Sequence, residues 1–202
     1  MRLYLAARPT TTTVALLLTI GAVTTAARAV PLPAFRPGLG EPYVPVLLAY
    51  LAPVIASVVI GLAAESPMPS WERLAARNLA PVRAAHAGTM VVLAGLALLP
   101  ALLLLDDPDA ARTLPANLLA SAGLTLIAGI VLDPRTGWLV VVPYCVLGLM
   151  AGQTTPTPWR SFFIVEAVPS GNRLAAATAI LVAGLTLHSL RRPSRPVHAE
   201  AG

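Results

Sequence analysis

Between Glu65 and His86 the sequence ESPMPSWERLAARNLAPVRAAH gathers Glu65, Glu72, Arg73, Arg77, Arg83 and His86, the longest strongly charged interruption in an otherwise apolar chain. Guanidinium and carboxylate groups on so short a stretch suit charge-assisted contacts with a partner. Acid–base or metal chemistry needs a different pattern. No G-x-S-x-G, H-E-x-x-H or paired-glutamate constellation occurs, and no group of acids, histidines and an activated serine can be assembled at membrane depth. All fourteen basic residues are Arg. Without lysine the chain has no Walker A loop, G-x-x-x-x-G-K-[ST], and does not bind ATP in the P-loop manner. Cys145 is the single cysteine, so no intrachain disulfide forms, and no Cys/His spacing suggests zinc. We therefore expect no catalytic residues, no metal and no cofactor.

The elements around this charged stretch are oily. The chain has 202 residues, 56% hydrophobic and 11% charged, with a formal net charge of +5. That composition falls in the membrane class. The arginines are scattered at helix ends, unlike the footprint of a nucleic-acid binder. A bilayer core about 30 Å thick takes about 20 apolar residues of helix, which satisfies its own backbone groups. Six segments approach this length: 14–30, 43–64, 84–105, 114–132, 137–152 and 174–190. The expected fold is all-α, a single polytopic transmembrane domain over residues 1–202. The first segment has a rival reading as a cleaved signal peptide, since Ala27-Arg28-Ala29 follows its apolar run. Cleavage would leave five spans in the same orientation.

Arginine placement orients the spans, because basic loops are retained in the cytoplasm. With the N-terminus inside, Arg2, Arg8, Arg73, Arg77, Arg83, Arg135, Arg191, Arg192 and Arg195 fall inside, nine against the five at Arg28, Arg36, Arg112, Arg160 and Arg173. Both termini are then cytoplasmic and the Asp106-Asp107-Asp109 cluster is outside. The expected location is the plasma (inner) membrane. The spans hold no carboxylate or arginine at depth, which argues against a proton- or sodium-coupled carrier. His86 and His188 sit at the inner ends of their spans and read as interface-facing imidazoles.

Inside the charged stretch, Ser70 can cap a helix that starts at Trp71, and Pro81 marks its end. Trp71, Leu74, Ala75 and Asn78 share one side of it, and Arg73, Arg77 and Ala80 another. A helix over about ten residues does not hold in water alone and needs a surface to lie on. On the other side of the membrane, residues 153–173 form a long connection bracketed by Pro156, Pro158 and Pro169. Its Trp159, Phe162 and Phe163 lie one helical turn apart, with Arg160 and Glu166 polar, a pattern for the membrane interface. Gly148 and Gly152 form a G-x-x-x-G pair suited to close helix packing. Pro45, Pro53, Pro100 and Pro143 fall within spans and are expected to bend them.

Six spans with both termini inside, the charged stretch Glu65 to Arg83 between spans two and three and a long outer segment between spans five and six resemble the permease subunit of type-2 ATP-binding-cassette exporters. The resemblance implies that Glu65, Trp71, Glu72, Arg73, Leu74, Arg77 and Arg83 meet a separate cytoplasmic ATPase. It also implies that the chain pairs with itself or with a similar permease and moves a hydrophobic or amphipathic compound. The region before the first span is shorter than the amphipathic helix with which such permeases begin, and Pro9 and a threonine run interrupt it. The competing expectation is a non-transporting accessory, scaffold or self-protection protein.

Overall fold

The computed structural model describes residues 10–31, 47–65, 79–133, 135–151, 165 and 173–191. Within them lie six helices: α1 (Thr10–Ala26), α2 (Ala52–Ala64), α3 (Ala80–Leu103), α4 (Ala110–Val131), α5 (Trp138–Ala151) and α6 (Arg173–Leu190). A 3-10 turn, Leu48–Tyr50, leads into α2. Each helix falls on one of the six apolar segments. By length and composition α3, α4 and α6 can cross a membrane, and α1, α5 and the Leu48–Ala64 unit are shorter apolar helices. Large apolar side chains project outward on all of them, among them Leu16, Ile55, Val92, Val131, Val140 and Val182. Helices that are apolar all round belong to a membrane span or to the core of a large protein, and a chain of this size has too little protein to cover so many.

Hydroxyls are tolerated on these helices because they bond inward. Thr19, Thr24 and Thr25 of α1 donate to the carbonyls four residues back, at 2.9, 2.6 and 2.8 Å. Thr178 and Thr186 of α6 do the same at 2.7 and 2.8 Å. This internal bonding spares lipid an open donor. α1 begins at Thr10, four residues before the expected span, with the threonine run inside the helix.

Prolines set two starts that the sequence reading places elsewhere. Pro53 stands in the first turn of α2, where its missing N–H costs nothing, so it begins the helix and does not bend it. Pro81 likewise sits in the first turn of α3. The third span therefore starts at Ala80, and Ala80 belongs to it. Pro100 and Pro143 do lie inside α3 and α5, and Pro115 lies inside α4. Pro45 falls outside the described residues, as do residues 70–78 of the expected handle helix.

The bundle is built around α4, which packs on α2, α3, α5 and α6. Its most extensive contact is with α6, glycine against glycine. A Cβ on Gly123 would lie 2.7 Å from the Ile180 carbonyl carbon, and one on Gly184 2.7 Å from the Gly123 oxygen. Small residues permit this backbone approach where apolar burial gives no net drive, since lipid is as apolar as a side chain. Gly21 of α1 meets the Ala97 carbonyl of α3 in the same way, leaving no room for a Cβ beside the oxygen. Replacing Gly123 by Val should therefore force α4 and α6 apart and cost about 3 kcal/mol. Gly88→Ala, where a Cβ meets nothing within 4 Å, should be neutral or slightly stabilising. Thermal melts of the two variants in the same detergent check the contrast.

Candidate functional site

Three sets of polar side chains stand out from the apolar bundle, one in the middle and one at each end. The middle set is a ladder between α2 and α4. Asn117, Ser121 and Thr125 recur every four residues on α4 and are 2, 0 and 3% exposed. Facing them are Pro53, Ser57 and Gly61 of α2, also four apart. Ser121 Oγ donates to the Asn117 carbonyl at 2.7 Å and lies 3.3 Å from the Pro53 carbonyl oxygen. Thr125 Oγ1 lies 2.8 Å from the Ser121 carbonyl and 3.3 Å from Ser57 Oγ, and Ser57 in turn donates to the Val54 carbonyl at 2.7 Å. A hydroxyl has one proton, so Ser121 and Thr125 each share theirs between the short bond within α4 and the longer contact to α2, and only that share ties the two helices together. Such interhelical contacts are worth about 0.6 kcal/mol each in membranes. The ladder fixes the register of α2 on α4.

One end of the bundle carries arginines. Arg135, in the α4–α5 turn, places Nε 3.0 and 3.2 Å from the two Glu65 carboxylate oxygens at the end of α2. Its backbone N–H donates to Asp133 Oδ1 at 2.8 Å, closing the turn. The Arg135 side chain is 76% exposed and that of Glu65 27%, so the pair orients more than it stabilises. Deeper in, Arg83 of α3 donates to the Arg191 carbonyl at 2.6 Å, and Arg191 donates to the Gly129 carbonyl at 2.8 Å. These guanidiniums satisfy carbonyls at the C-terminal ends of α6 and α4, where orphan acceptors and the negative helix pole both favour a cation. His86 and His188 are buried near this end, 7 and 9% exposed, not interface-facing as the sequence suggests.

The opposite end carries the aspartates. The Tyr50 hydroxyl donates to Asp107 Oδ2 in a short bond, and Asp107 Oδ1 accepts the Asp109 N–H at 2.9 Å. Arg28, just past α1, donates to the Leu104 carbonyl at 2.8 Å and to that of Thr25 at 3.0 Å. The Leu48 N–H donates to the Val30 carbonyl at 2.9 Å beside a Pro31–Leu47 bridge, which places residues 30–31 and 47–48 side by side at this end.

Of the residues singled out from the sequence, Glu65 and Arg83 are described, and both bond within the chain. They sit at the two roots of the connector 66–78. Gly148 is buried in α5. Trp71, Glu72, Arg73, Leu74, Arg77, Gly152, Trp159, Arg160, Phe162, Phe163 and Glu166 lie outside the described residues. The polar ladder and the Gly123–Gly184 crossing were not singled out, although a four-residue polar repeat inside an apolar segment is a readable signal. Among the described residues no three His, Cys, Asp or Glu side chains converge on a metal position.

No protein-family model, curated protein or solved structure matches the chain.

The two kinds of contact at the arginine end should separate energetically. Arg191→Met removes a charge-assisted bond to a helix-end carbonyl and should cost about 2 kcal/mol. Arg135→Gln, at an exposed pair, should cost less than about 1 kcal/mol. Denaturation of both variants in one detergent, compared with the parent, measures the difference.

Proposed function

We propose that the chain is the membrane-spanning permease subunit of an exporter driven by a separate cytoplasmic ATPase. The observation that carries the reading is how the connector 66–78 is rooted. At its start Glu65 holds Arg135 and hence the α4–α5 turn. Just past its end Arg83 holds the end of α6, and Arg191 passes that hold to α4. Force that a partner applies at the start of α3 reaches α6 and α4 through the Arg83 and Arg191 bonds, and the exposed Glu65–Arg135 pair adds a weaker tie to α5. In this reading Trp71, Glu72, Arg73, Leu74 and Arg77 meet the ATPase, with Trp and Arg as the usual anchors of such contacts. Two copies of this chain, or this chain and a similar one, line the path of a hydrophobic or amphipathic compound, and the protein sits in the plasma membrane with both termini in the cytoplasm.

A second reading is favoured by the same end of the molecule. Glu65 and Arg83 are spent on internal bonds, which suits an accessory or scaffold that holds its shape and presents only the middle of the connector. Purification of C-terminally tagged protein in mild detergent separates the two. The permease reading expects a P-loop ATPase in stoichiometric amount, lost when Arg73→Glu and Arg77→Glu are combined while membrane insertion is unchanged. Recovery with no ATPase, or with one that the double variant keeps, contradicts it.

A further inference from the structure

Between α3 and α4, near the aspartate end, lies an apolar trough of about 230 Å³. Its floor is formed by Val91, Leu98, Leu114 and Leu118, all buried, and Val92 and Leu99 stand exposed at its rim. Gly95 lines it too, and with no side chain keeps it open. From Val91 to Leu102 the trough follows α3 for about 17 Å at 1.5 Å per residue. That is close to the hydrocarbon depth of one leaflet, about half of 30 Å.

What stands above the trough is charged. Arg112, in the first turns of α4, is exposed, one turn beyond Pro115 and seven residues before Leu119, so it shares their side of the helix. Its backbone N–H bonds the Asp109 carbonyl at 3.0 Å. Asp106 and Asp109 stand exposed in the connecting loop beside it, while Asp107 is half-buried and held by Tyr50. A guanidinium and two carboxylates at the mouth of a leaflet-long apolar trough match a headgroup that carries both signs.

We infer that this trough holds one molecule of a zwitterionic aminophospholipid, with an acyl chain along Gly95, its phosphate on Arg112 and its ammonium toward Asp106 and Asp109. Arginine suits the phosphate because its planar donors meet two oxygens at once. A purely anionic lipid would meet the same arginine but face the two carboxylates.

The test reconstitutes the full chain in vesicles of equal phosphatidylethanolamine and phosphatidylglycerol, extracts it in mild detergent, strips loose lipid on a sizing column and quantifies what remains by mass spectrometry. The expected result is about one phosphatidylethanolamine per chain, with phosphatidylglycerol retained about tenfold less, the factor of one charge-assisted contact. Arg112→Gln and Gly95→Leu should each lower retention by about tenfold as well. A Cβ at Gly95 makes only an ordinary 3.7 Å contact with Leu118, and the exposed Arg112 carries the test alone if the larger side chain disturbs folding. No retained lipid, equal retention of both headgroups, or unchanged retention in Arg112→Gln overturns the inference. So does a lipid-free dimer, which would put a second copy in the trough.

Discussion

Everything else in this molecule leans on the contact of α4 with α6, where Gly123 and Gly184 bring two backbones together. In lipid, leaving solvent gains a helix nothing, so association rests on packing and hydrogen bonds. A glycine pair gives the packing by letting the helix axes approach. The ladder of Asn117, Ser121 and Thr125 against Pro53, Ser57 and Gly61 gives the hydrogen bonds and the register on another face of α4. With α4 gripped on both sides, α3 and α5 need only weaker contacts to complete the bundle, and the looser α3–α4 seam is where the trough remains.

The arginine end follows the same economy. Helix C-termini leave carbonyls that lipid cannot satisfy and that water reaches only at the surface. Arg191 and Arg83 meet those carbonyls from within the chain. Two consequences come from one arrangement: the ends of α4 and α6 are capped, and the root of the 66–78 connector becomes continuous with them. Arginines thus build the link on which the permease proposal rests.

The six helices were readable because each is a long apolar run, and composition leaves few other folds for such runs. Their ends were less readable. Thr10 to Thr13 look polar in one dimension, yet they form the first turn of α1. Pro53 looks like a kink and Pro81 like a helix stop until their place in a first turn is known. For the candidate site the limits are of another kind. Glu65 and Arg83 stood out by charge, but their partners, Arg135 and the Arg191 carbonyl, are 70 and 108 positions away, and no local pattern joins them. In a chain with 14 glycines, Gly148 and Gly152 drew notice by their spacing, whereas the crossing falls on Gly123 and Gly184, which no short motif connects. The Tyr50–Asp107 bond was hidden for the same reason, each partner reading locally as part of a span or a loop.

The proposed function requires that the helices cross the membrane in alternation, with the arginine end in the cytoplasm and the aspartate end outside. The native Cys145 is buried, so a Cys145→Ser background leaves a clean reporter. Asp106→Cys and Thr136→Cys, placed singly in that background, can be treated in intact cells with a thiol reagent that does not cross membranes. The account predicts labelling of the Asp106→Cys protein from outside and of the Thr136→Cys protein only after permeabilisation. Labelling of both from the same side would contradict it.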